Sequence, residues 1–122
     1  MEKISSYKDL KVWNVAVELC VETYGLTKKF PDEEKYNLIS QIRRSAVSIP
    51  SNIAEGRYRG SKKDFLQFLR IAYSSGAELE TQIEISKKIG FLDEKEYDKV
   101  DDLLLQVMKM LNVIIRKMQS SK

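Results

Sequence analysis

The chain has no histidine and a single cysteine, Cys20, among its 122 residues. The first absence excludes histidine-based catalytic triads, histidine-ligated zinc and the Glu-x-x-His motif of di-iron bundles. A lone cysteine forms no internal disulfide, and its place inside an apolar helical pattern reads as a small core hydrophobe. A reactive thiol would need an electropositive, accessible niche. Apolar runs long enough to span a membrane are missing too, and the opening MEKISSYKDLKVW is broken by charge before any leader-like run develops. A cytoplasmic protein is therefore expected. Net charge is only +3, far from the strongly basic balance of a dedicated DNA-binding domain, so any nucleic-acid argument depends on where the cations lie.

What is present is helical periodicity throughout. Leu10, Trp13, Val17, Cys20, Tyr24 and Thr27 recur at spacings of three and four, with Val12, Ala16, Leu19 and Leu26 widening the apolar face, which predicts a first helix over 7–29. Phe30-Pro31 stops it, because the residue before proline is pushed out of helical geometry. Asp32, Glu33 and Glu34 then suit the positive pole of a second helix running to about Tyr58. Pro50 lies inside it and predicts a kink near residues 46–50, with Ser45, Ser48 and Ser51 available to the freed carbonyl. A split into two helices is the alternative, but no glycine marks a loop there and the apolar register continues.

Gly56 and Gly60 bracket the exit of the second helix, and Ser61 with Asp64 resembles a capping box opening a third. Phe65, Phe68 or Leu69, Ala72, Gly76, Leu79 and Ile83 form its seam, and Ile89-Gly90-Phe91 closes it. A fourth helix is expected from Asp93, on a seam of Tyr97, Val100, Leu104, Val107, Leu111, Ile114 and Met118. Four such helices on short loops predict an all-α fold: an antiparallel up-down-up-down four-helix bundle with a Pro-kinked second helix, forming one domain over 1–122.

Two constellations carry functional meaning. Arg57, Arg59, Lys62 and Lys63 surround a glycine-flanked turn with Tyr58 among them, and Arg43 and Arg44 lie upstream. Such cations hold phosphates, and a tyrosine between them can stack an unpaired base. The plain alternative is a solvated loop whose cations favour the helix C-terminus. The second constellation is a polar stripe on the second helix, Gln41, Arg44, Ser48, Asn52 and Glu55, beside a face of small residues at Ser40, Val47, Ser51 and Ala54. Arg44 and Glu55 lie about 16 Å apart along one helix. They cannot pair with each other, so partners are expected on the third helix, at Glu78, Glu80 or Glu84, or on a neighbouring subunit whose register the stripe would set. A Glu55 and Glu78 carboxylate pair doing acid-base or metal work is a weaker reading, and Gly56-x-x-x-Gly60 has no Lys-Ser/Thr after it to make a phosphate loop. Tyr7, Trp13, Tyr24, Phe65 and Phe68 read as core rather than as a cofactor box.

The run LISQIRRSAVSIPSNIAEG from Leu38 to Gly56, Leu10 with Trp13, the Phe30-Pro31 stop and AYSSGAELE from Ala72 to Glu80 resemble the S23-like family of proteins encoded in intervening sequences of bacterial 23S ribosomal RNA genes. That resemblance implies an antiparallel four-helix protomer in a ring-shaped homopentamer, without known catalysis. The chain is similar too to the accessory variability protein of diversity-generating retroelements, which acts with a reverse transcriptase and RNA through a positive surface. The expectation is a non-catalytic homo-oligomer binding structured RNA or a ribonucleoprotein, with no metal, cofactor, membrane or small-molecule substrate. A protein-interaction scaffold without nucleic acid is the other reading.

Overall fold

The computed structural model describes residues 6–120, and among them there are four α-helices and no strand. The helices are α1 (Lys11–Thr27), α2 (Leu38–Arg59), α3 (Lys62–Ile89) and α4 (Asp98–Ser120). Each packs on the next, and α4 packs back on α1, so the four enclose one core. Residue pairs across the interfaces run in opposite senses. Gly56 meets Phe68 while Ser48 meets Ser75, and Gly76 meets Met108 while Ser86 meets Tyr97.

The α1 register differs from expectation. Val12, Ala16, Leu19, Thr23, Leu26 and Thr27 are its buried residues, whereas Trp13 and Cys20 are half-buried and Tyr24 is exposed. Thr23 enters the interior because its hydroxyl donates to the Leu19 carbonyl at 2.7 Å, which satisfies a polar group that burial would otherwise strand. Burial pushes the Cys20 thiol above its ordinary pKa, which keeps it protonated and unreactive at neutral pH.

Both acidic helix starts are displaced. Asp32–Glu34 forms a separate 3-10 turn, and α2 begins only at Leu38, whose N–H donates to Glu34 Oε1 at 3.4 Å. Glu94–Tyr97 is likewise a 3-10 turn before α4. α2 runs unbroken through Pro50, so the two-helix alternative does not occur. The Ser48 hydroxyl lies against that of Ser75 on α3 at 2.8 Å. Ser61 accepts from the Asp64 N–H at 3.0 Å as the expected cap of α3. Gly60 and Gly90 end α2 and α3 at φ 88°, a left-handed conformation that glycine adopts at least cost.

The bundle consequently has two unlike ends. At one, the connectors 28–37 and 90–97 meet, with Phe30 and Phe91 in ring contact at 5.1 Å and Lys29 paired with Glu96 at 2.6 Å. At the other, Leu10 before α1 and the last turns of α4 flank the turn between α2 and α3.

Candidate functional site

The six cations singled out in the sequence fall into two groups. Arg43 and Arg44 lie about 20 Å along α2 from Arg57. They do not share a patch with the turn.

Arg43 is committed to the protein itself. Its Nε donates to Thr27 Oγ1 at 2.9 Å, Nη2 reaches the Tyr24 carbonyl at 3.5 Å, and the guanidinium lies 4.5 Å from the Tyr24 ring centre. A cation on the last turn of α1 is favoured by the negative pole of that helix, so Arg43 clasps α1 to α2. Arg44 is exposed and makes no hydrogen bond, ion pair or ring contact with the described residues.

The second group gathers at the α2–α3 turn. Arg57 lies 5.9 Å from the Phe65 ring centre, and Arg59 lies 4.9 Å from that of Phe68. These rings stand at the rim as platforms for guanidinium groups, which is why the aromatics expected in the core are only half-buried. Tyr58 projects between the two arginines at 84% exposure, and Lys62 and Lys63 follow across the joint. Gly56 is what lets the helices close here, since a β-carbon on it would stand 2.6 Å from Phe68 Cβ. From Glu55 to Asp64 the turn carries four cations against two acids. One of those acids is already used, because Arg59 Nε donates to Glu55 Oε2 at 3.0 Å.

That ion pair corrects the expectation that Glu55 must find its partner on α3 or on another subunit: the partner is one turn along its own helix. The rest of the polar stripe divides. Gln41 and Arg44 are exposed, while Asn52 Nδ2 donates to the Ser48 carbonyl at 2.8 Å and to Ser48 Oγ at 2.9 Å. Ser48, Asn52 and Ser75 thus form a closed polar bridge between α2 and α3. Outside it, a shallow groove of about 730 Å³ runs past Tyr36, Ser40, Arg44, Val47 and Ser51. Glu78 lies one turn beyond Ser75 on α3, on the far side of that bridge from Glu55, so the two carboxylates do not converge. Among the described residues no group of three or more His, Cys, Asp or Glu side chains is placed to hold a metal.

Lys117 joins this site although its own stretch of sequence does not single it out. The return of α4 to the turn brings it to the same hollow as Arg57 and Lys62, a space of about 590 Å³ floored by Leu10, Phe65, Ile114 and Met118. The one signal for it is indirect: in an antiparallel bundle the end of the fourth helix must lie beside the turn between the second and third.

These features define a class, a four-helix bundle with a cationic tip and an exposed, small-residue flank on its second helix. The chain belongs to the 23S rRNA-intervening sequence protein family, whose model matches residues 8–113. It is similar to a crystal structure of a protein of unknown function from the S23 ribosomal protein family of Bacteroides thetaiotaomicron. That likeness has a TM-score of 0.76 at 25% identity, covering 85% of this chain and 97% of the other. No curated protein matches the chain. No helix among the described residues is long and apolar enough to cross a membrane.

Proposed function

We propose that the protein is a non-catalytic, cytoplasmic homo-oligomer that binds structured RNA, free or in a ribonucleoprotein, through the cationic tip. The observation that carries this reading is the tip itself: Arg57, Arg59, Lys62 and Lys63 around a tyrosine at 84% exposure. Cations of this density attract the phosphate backbone, and an exposed ring offers a face to an unpaired base. Arg43 contributes less than the others, because Nε and one Nη2 donor point to α1 and only its remaining N–H groups are left for a phosphate.

Assembly is the second half of the proposal. Gln41 and Arg44 present exposed polar groups beside Ser40, Val47 and Ser51, a flank on which another helix can approach closely. The family resemblance suggests five subunits, and the likeness to the retroelement accessory protein suggests a ribonucleoprotein setting. Closure into a ring would repeat the tip and raise its effective concentration for a long polyanion.

Fluorescence anisotropy with an RNA hairpin, repeated at several salt concentrations, tests the binding. Affinity should fall steeply and log-linearly with salt, and Lys63→Ala should make that slope shallower by about one. Binding that ignores salt, or none at micromolar protein, overturns the reading. Light scattering tests assembly, where Arg44→Ala should shift the mass downward and Arg59→Ala should leave it unchanged.

A further inference from the structure

The hollow at the tip does not end there. Leu10 and Ile114 also line a second space of about 410 Å³ that continues between the start of α1 and α4. Two rows of α4 build its side, each at spacing four: Met110, Ile114 and Met118, and beside them Lys109, Val113 and Lys117. The first row faces Leu10 and Val12 to make an aliphatic floor. Lys11 stands on the opposite wall, and Arg57 and Lys62 close the end. Five cations therefore surround the groove, and among the described residues no carboxylate lines it.

We infer that this groove receives an acidic amphipathic helix from a partner protein. An apolar stripe at spacings of three and four would lie on the methionine, leucine and isoleucine floor, and flanking glutamates or aspartates would meet lysines on both walls. From Lys109 to Met118 the groove is about 14 Å long, enough for two to three helical turns. Unbranched methionines let such a floor adapt to the incoming side chains. RNA fits it less well, because bases bind by stacking on rings, and Phe65, the one ring among the described residues that line it, already carries Arg57 over it. Val113, at 50% exposure, has apolar area in water with no use inside the subunit.

The test uses the full chain and a fluorescent helical peptide with leucines at i, i+3, i+4 and i+7 and glutamates elsewhere, beside a scrambled peptide of equal composition. Saturable binding of the first, about tenfold tighter than the scramble, is expected, and the double variant V113Q/K109Q should remove most of that difference. Both positions are exposed, so folding is preserved, which circular dichroism checks. The same variant should bind the RNA hairpin as the parent does, which separates this inference from the RNA reading. Equal binding of both peptides, or no effect of the variant, overturns it. So does preferential capture of anionic phosphatidylserine vesicles, a loss of hairpin binding in the variant, or a fall in oligomeric mass, which would make the groove a contact between copies of this chain.

Discussion

The two ends of the bundle use charge in opposite ways. Where the connectors 28–37 and 90–97 meet, cations are consumed internally: Lys29 by Glu96, Lys87 by Asp101 at 2.7 Å, and Arg43 by α1. Beneath them Tyr97 is fully buried, with its hydroxyl 2.9 Å from that of Ser86. At the tip, Arg59 pairs with Glu55 along its own helix and both arginines lie against rings, but acids are fewer than cations and the tyrosine points outward. One end spends its charges on contacts between elements, and the other gathers an excess of cations on one turn.

Two tyrosines give the largest contrast. Tyr97→Ala should destabilise the protein by about 3 to 5 kcal/mol in denaturant unfolding, as expected for emptying a core ring site, whereas Tyr58→Ala should change stability by less than about 0.5 kcal/mol. Comparable losses at both would erase the distinction. Next comes Gly56→Ala, the place where the tip does contribute to the core. A methyl group there meets the Cβ of Phe68, which the α3 backbone holds in place, so a loss of about 1 to 3 kcal/mol is expected despite the better helix propensity of alanine. A gain in stability would mean that α2 and α3 separate easily at their turn.

Alkaline titration comes third. Burial raises the Tyr97 hydroxyl above its ordinary pKa. For Lys87, burial disfavours the charge, but the hydrogen bond and charge of Asp101, with Glu84 and Glu94, outweigh it and raise its pKa too. In both cases the folded chain keeps its proton to higher pH than the unfolded one. Their contribution is thus complete below the ordinary values near 10 and is lost as pH rises through the raised ones. Thermal melts between about pH 8 and 11 should fall at the upper end, and Y97F with K87Q should flatten that fall. The smallest effect belongs to Arg59→Ala, which removes an exposed pair with Glu55 and should cost about 0.5 kcal/mol or less, its consequence falling on RNA affinity instead.

The four helices were legible because Ile42, Ala46, Ile49 and Ile53, or Val100, Leu104, Val107 and Leu111, leave a single face to bury. On α1 the apolar residues nearly encircle the helix, so periodicity could not choose between Trp13 with Tyr24 and Val12 with Leu19. The structure chooses the second set, whose smaller side chains fit between the neighbouring helices. Acids at Asp32 and Asp93 read as helix openings, yet Asp32 begins and Asp93 precedes a 3-10 turn that a sequence pattern does not separate from a first helical turn. At the candidate site the cations of the turn were readable one by one. What could not be read was their company: Phe65 and Phe68 beneath the arginines, Glu55 against Arg59, Thr27 and Tyr24 around Arg43, and Lys117 arriving from the far end of the chain. Each depends on helices meeting across the bundle or on a rotamer choice within one.

Only Gly60 and Ser61 separate Arg59 from Lys62, so each of these side chains rides on the stiff stem of a long helix. A polyanion landing there would have no hinge to immobilise and would give up little freedom beyond its own. Splicing a few flexible residues into this joint would leave both stems intact while letting their charges wander independently, and affinity would drop although no contact group had been removed.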